Sequence, residues 1–118
     1  HVCLLPLTTD TKKIFNKDIF SKMKEGVCFI NAGRGEHIVE KDLTSFCGNK
    51  IKLAILDVFG VEPLPKTHPF WENKNIVIWP HVSAETNIET AAKQVAEAIK
   101  LIHSGKMPEN KIDLNLGY

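Results

Sequence analysis

Four runs of apolar residues set the rhythm of the chain: HVCLLP from His1, VCFINA from Val27, IKLAILDVF from Ile51 and NIVIWP from Asn75. They are largely continuous rather than alternating, the pattern of strands covered on both faces in a parallel sheet. Pro6 closes the first run and Pro80 the last. Between the runs the period changes. Asn16 stands where a helix N-cap belongs, ahead of KDIFSKMK, and Ile19, Phe20 and Met23 fall on one face of that helix. Gly26 is its expected stop. A short second helix is predicted over VEKDLTSF, ending at Gly48 and Asn49. The stretch from Gly60 to Pro69 holds Pro63, Pro65 and Pro69, half of the six prolines, and is predicted to be irregular. From Ser83 to His103 apolar residues return at helical spacing. Ile88, Ala92, Val95, Ala96, Ile99 and Ile102 are expected to face inward there, and Gly105 to end the helix. The tail KMPENKIDLNLGY reads as irregular.

Strands joined by crossover helices make an α/β fold around a largely parallel sheet. A sheet of this kind that binds a nucleotide normally opens with a glycine-rich strand-to-helix turn cradling a pyrophosphate. None of the seven glycines forms a GxGxxG turn or a P-loop. The chain therefore reads as the second half of a Rossmann-like sheet with flanking helices, incomplete without an N-terminal part.

Composition adds mainly exclusions. At 118 residues, 43% apolar and 25% charged, the chain is ordinary for a globular protein. A net charge of +1 leaves no electrostatic footprint for nucleic acid. No apolar run reaches membrane-spanning length, so no membrane partner is expected. The opening HVCLL lacks the charged-then-apolar order of a secretory leader. Cys3, Cys28 and Cys47 are odd in number and have no CxxC spacing, which fits reduced, partly buried thiols in a cytoplasmic protein. His1, His37, His68 and His103 have no metal-ligand spacing, and no metal is expected.

Ligands of open parallel sheets bind outside the carboxyl ends of the strands. Arg34, Asp57 with Glu62, and His81 all follow predicted strand ends. A guanidinium grips a carboxylate through two parallel hydrogen bonds, and a histidine moves one proton near neutral pH. A carboxylate beside that histidine favours the imidazolium. Together these groups suit anchoring a 2-oxo acid and protonating the nascent alkoxide. Each also has a plainer reading. Arg34 can cap loop carbonyls, its flanking glycines can mark only a tight turn, and Asp57 can cap the turn after its strand. Glu62 can be a solvated loop acid and His81 a structural histidine. Singly these signals are weak; their order along the chain is specific.

LLPLTTDTKKIFNKDIFSKMKEGVCFINAGRG, AILDVFGVEPLP and IVIWPHVSAET resemble, in that order, consecutive signatures of the D-isomer-specific 2-hydroxyacid dehydrogenases. The resemblance runs from Val2 to Ser104. Within the family, LDVFGVEPLPKTHPFWENKNIVIWPHVSAET and the terminal GY are most similar to glyoxylate and hydroxypyruvate reductases. The resemblance implies that residues 1–104 are the C-terminal portion of an NAD(P)-binding domain, and that residues 105–118 return toward a separate substrate domain. It implies Arg34 as the carboxylate and carbonyl binder, His81 as the acid–base residue and Glu62 as its partner. Asp57 matches the contact to the nicotinamide amide. Asn31, Ala32 and Gly33, with Ser83 and Ala84, match positions lining the nicotinamide, and Pro6 and Thr11 the loop beneath the cofactor. Glu85 departs from the family pattern, and is expected to point outward from the first helical turn, where the helix dipole favours an acid.

The implied parent is a homodimeric reductase of a small 2-oxo acid, using NAD or NADP, with the resemblance leaning to NADPH. This chain alone is expected to be inactive. A dinucleotide-binding co-repressor on the same scaffold and a non-catalytic oligomerisation fragment are the alternative readings.

Overall fold

In the computed structural model, which describes residues 1–115, all four expected strands form. They are β1 (Val2–Cys3), β2 (Val27–Asn31), β3 (Ile51–Leu56) and β4 (Ile76–Ile78). The sheet order is β1-β2-β3-β4 and every pairing is parallel. Helix α1 (Lys17–Lys22) crosses from β1 to β2, and α2 (Glu40–Phe46) from β2 to β3. The Asn16 side chain caps α1 as expected, accepting hydrogen bonds from the Asp18 and Ile19 N–H groups. The link from β3 to β4 is the proline-rich loop, which closes with a 3-10 turn at Pro69–Glu72.

Register divides the strand residues between two faces. Phe29 pairs with Ala54, and Ala54 with Ile76; Asn31 pairs with Leu56, and Cys3 with Asn31. All of these are buried. Phe20 and Met23 of α1 and Leu43 of α2 join the same core cluster. Its centre is aromatic, with the Phe15 and Phe29 rings 4.9 Å apart and Phe20 and Phe29 5.7 Å apart, both edge to face. The opposite face carries Val2, Cys28, Ile30, Leu53, Ile55 and Val77, none of them buried. Coverage on both faces was the expectation from the unbroken apolar runs. Within residues 1–83, one face is fully covered, by α1 and α2, whose Phe20, Met23 and Leu43 join one core, and the other only in part.

Three boundaries also differ from the sequence pattern. β1 stops at Cys3, leaving Leu4 and Leu5 exposed. It is an edge strand with one neighbour, and Pro6 has no N–H to extend the ladder. α1 ends at Lys22, before Gly26, which turns the chain into β2 at φ +72°. The long helix α3 (Ile88–His103) begins after Asn87, whose side chain accepts from the Thr90 N–H. Ser83 is held elsewhere by a carboxylate described below, so the preceding segment stays extended. Glu85 therefore precedes the helix instead of occupying its first turn.

The chain divides into two compact units, His1–Ser83 and Ala84–Tyr118. In the second, α3 has no buried residue. The stripe expected to face inward is largely exposed: Ile88 at 81%, Ile102 at 59% and Val95 at 57%. Among the described residues, its own unit adds only Ala84–Asn87 before it and a short stretch after Gly105. That stretch is irregular, as expected, while the terminal Gly117 and Tyr118 lie outside the described residues. Among the described residues no helix is long and apolar enough to cross a membrane.

Candidate active site

The carboxyl ends of β2, β3 and β4 feed three loops, and hydrogen bonds tie each to the next. After β2, the buried Asn31 amide shapes the first loop from within. Its oxygen accepts from the Gly33 N–H at 3.2 Å, and its nitrogen donates to the Arg34 carbonyl at 3.0 Å. Arg34 is thereby presented at the surface, with one guanidinium nitrogen donating to the Gly33 carbonyl at 2.8 Å. The planar fork has further donors, of the kind that suit a carboxylate.

Gly35 explains one of the two glycines beside Arg34. A Cβ there would lie 1.9 Å from the Phe59 carbonyl carbon and 2.4 Å from the Gly60 nitrogen. The Arg34 loop and the loop after β3 are thus in backbone contact, which only glycine permits. Gly33 is less severe but still tight, since a Cβ would come within 3.1 Å of the Leu5 carbonyl oxygen.

The loop after β3 holds the two carboxylates. Asp57 is buried, and its Oδ1 accepts from the Val82 N–H at 2.9 Å and the Ser83 N–H at 3.2 Å. It therefore pins the backbone directly after His81. Glu62 accepts the Phe59 N–H at 2.9 Å through Oε1, and its Oε2 lies 2.8 Å from His81 Nδ1. His81 itself has a left-handed backbone, φ +55°, a conformation that costs a non-glycine residue free energy. Pro80 before it and the Asp57 clamp after it hold that conformation. Such over-determined strain clusters at working sites.

The His81 hydrogen bond holds the Glu62 carboxyl below its ordinary value of 4.5, helped by the Phe59 N–H and opposed by partial desolvation. Glu62 is therefore a carboxylate at neutral pH, oriented toward one imidazole nitrogen while Nε2 remains available. A cavity of about 450 Å³ lies against the pair, walled by Phe59, Leu64, Trp71, Ile78 and Pro80.

Arg34, Asp57, Glu62 and His81 are thus linked along one sheet edge. The Pro6–Thr11 segment reaches the same edge from β1, drawn together by the Thr11 hydroxyl, which donates to the Pro6 carbonyl at 2.7 Å. Ala32 continues the ladder by donating to the Cys3 carbonyl. Ser83 is the last residue of the first unit, and Ala84 opens the second, where it is exposed.

Sequence reasoning passed over three residues here. Glu40, at the start of α2, accepts the Gly60 N–H at 3.0 Å, and its other oxygen lies 3.4 Å from His68 Nε2. One carboxylate thus closes both ends of the loop that carries Glu62. His37 is completely buried beneath Arg34. For His37 and His68 the sequence signal was a histidine inside an otherwise apolar or turn-forming stretch; Glu40 gave none, because its partners lie in a distant loop.

The chain has clear relatives among known proteins. The family described as D-isomer specific 2-hydroxyacid dehydrogenase, NAD binding domain, matches residues 2–83. Glyoxylate/hydroxypyruvate reductase A of Serratia proteamaculans is 40% identical over 116 residues, 98% of this chain and 37% of that protein. The D-isomer specific 2-hydroxyacid dehydrogenase of Xanthobacter autotrophicus Py2, solved with NADPH and MES, superposes with a TM-score of 0.94 at 36% identity. That match covers 99% of this chain and 49% of the other. The NADPH-dependent glyoxylate/hydroxypyruvate reductase of Sinorhizobium meliloti, solved with NADP and sulfate, gives 0.91 at 38% identity, over 99% of this chain and 39% of that one. The chain spans little more than a third of the curated relatives it matches.

Proposed function

The chain belongs to the D-isomer specific 2-hydroxyacid dehydrogenases, and on that premise we propose that it is the C-terminal part of an NAD(P)H-dependent reductase of a small 2-oxo acid. The observation that carries the reading is the 2.8 Å Glu62–His81 pair, set on a strained backbone at the carboxyl edge of a parallel sheet.

The residues present fit the nicotinamide end of a dinucleotide. A carboxamide needs an acceptor, and Asp57 Oδ2 receives only a long 3.4 Å bond from the Ser83 N–H. Pro6, Thr11 and the backbone from Asn31 to Gly33 border the same edge. The pyrophosphate has no glycine-rich cradle in these 118 residues. When bound, the nicotinamide supplies the hydride.

The chain's own groups do the rest. Arg34 grips the substrate carboxylate and keeps the 2-oxo carbon in a fixed place. His81 gives a proton from Nε2 to the substrate oxygen, while Glu62 at Nδ1 fixes the ring. Run backward, the same pair accepts the proton. Glyoxylate or hydroxypyruvate is the substrate we favour, NADPH the reductant and a cytoplasmic homodimer the assembled form, all in line with the named relatives or the family resemblance. The 118 residues by themselves are read as inactive.

The test is oxidation of NADPH and NADH by the complete enzyme with glyoxylate or hydroxypyruvate. His81→Ala is expected to lower kcat/KM by about 10²–10⁴-fold, the usual weight of a general acid. Arg34→Ala should raise KM for the oxo acid. Unchanged turnover in both variants contradicts the assignment.

A further inference from the structure

His37 has no part in the chemistry proposed above, yet it is among the most enclosed polar groups of the fold. Its side chain is fully buried and both ring nitrogens are engaged. Nδ1 accepts the Arg34 N–H at 3.1 Å. Nε2 lies 3.2 Å from the Pro6 carbonyl oxygen. A backbone N–H can only donate and a carbonyl can only accept. The tautomer is therefore fixed, with Nδ1 bare and Nε2 protonated. Cys3 Sγ lies 3.6 Å from Nδ1, so β1 borders the ring as well. There is no slack around it: a Cβ on Gly33 would lie 3.0 Å from Nδ1.

We propose that His37 is a positioning residue, a single buried strut that sets the substrate-binding Arg34 and the Pro6–Thr11 cofactor loop relative to each other. The proposal rests on the reductase reading of the site. The ring is rigid, so the two bonds leave it in a fixed geometry. Displacing the Pro6 carbonyl moves the ring, and moving the ring moves the Arg34 backbone. The hydroxyl of Thr11 donates to the same Pro6 carbonyl at 2.7 Å, which extends the constraint into the loop. Oxo-acid grip and cofactor loop are then coupled through one side chain that touches neither ligand.

The two arms can be cut separately. Asparagine places an amide oxygen near the position of Nδ1 and keeps the Arg34 bond, but cannot reach Pro6. Glutamine reaches toward Nε2 and keeps a donor for Pro6, but leaves the Arg34 N–H without its acceptor. In the complete enzyme, His37→Asn should raise KM for NADPH about five- to tenfold, the weight of one buried hydrogen bond, and leave KM for the oxo acid within about twofold. His37→Gln should show the opposite split. A general loss of packing would lower both affinities alike, or only the melting temperature. Equal effects of the two variants on both KM values overturn the proposal.

A second readout needs no turnover. Nitrogen-15 spectra of His37 in the complete enzyme should show an unprotonated Nδ1 and a slowly exchanging Nε2–H. A protonated Nδ1 overturns the strut even if neither variant folds. If the unsubstituted complete enzyme shows no reductase activity, the functional reading fails on its own, and the tautomer still decides whether the strut exists.

Discussion

The two faces of the sheet are built to different standards. On one, Phe29, Ala54, Leu56 and Ile76 lie under α1 and α2 with almost no exposed surface. On the other, Val2 is 61% exposed and Cys28 and Val77 are open, although the strands that carry them are equally apolar in sequence. The finished face continues into the loops of the candidate site, where each turn is tied by a buried or partly buried side chain: Asn31, His37, Asp57 and Glu40. The difference teaches that residues 1–83 tie the loops of the candidate site with their own side chains. Within those residues the other face of the sheet is covered only in part.

The sharpest break of that contrast is at the join between the Arg34 and Glu62 loops. Gly35→Ala would drive a methyl to 1.9 Å from the Phe59 backbone, which no rotamer can relieve. We expect a loss above about 4 kcal/mol, the range reserved for severe overpacking, and failure to fold by circular dichroism. Core truncation comes next. Phe29→Ala should cost about 3–5 kcal/mol in urea unfolding, since it removes a ring at the centre of the aromatic cluster. Val77→Ala on the open face should cost less than about 1 kcal/mol. Equal costs at the two positions would mean that the faces do not differ in solution.

How far the sequence conveyed this follows from what carries each feature. Continuous apolar runs located all four strands, and Asn16, Gly48 and Gly105 marked turns and caps, because those signals are local. Arg34, Glu62 and His81 were legible through their motifs, and the structure places them on one edge. Burial on the second face was not legible, because an apolar run reports a demand for cover and not the cover itself. The late start of α3 was hidden for a different reason. The Asp57 carboxylate competes for the Val82 and Ser83 N–H groups from more than twenty residues away. His37 and Glu40 act on backbone atoms of remote loops, so no spacing in the chain announces them.

A smaller effect tests the electrostatics of the finished side. Glu62 has its carboxyl lowered by the His81 bond, so its contribution to stability is complete above the ordinary value of 4.5. That contribution is lost as pH falls through the lowered folded-state value. Glu62→Gln should therefore reduce stability by about 1 kcal/mol or less at pH 7, given the solvent access of the pair. The difference between variant and parent should shrink toward zero in acid. A difference that persists undiminished well below pH 4.5 would show that the side chain's packing, and not its charge, holds the loop.

The smallest effect distinguishes the faces without perturbing either. Cys28 is exposed on the open face, whereas Cys3 is buried and Cys47 partly so. Burial raises the Cys47 thiol from 9.0 to about 11, which leaves about a hundredfold less thiolate at neutral pH than an ordinary cysteine. Thiolate is the reacting species, so a maleimide should label Cys28 first and Cys47 much more slowly, with Cys3 labelled only on unfolding. Because Cys28 is exposed, its modification should shift stability by no more than about 0.5 kcal/mol, as surface changes do. Fast labelling at Cys28 with no change in the melting curve fits an open face that contributes little to the fold. Slow labelling of Cys28 in a dilute, folded sample would mean that something in solution covers that face, and the contrast between the two sides of the sheet would have to be redrawn.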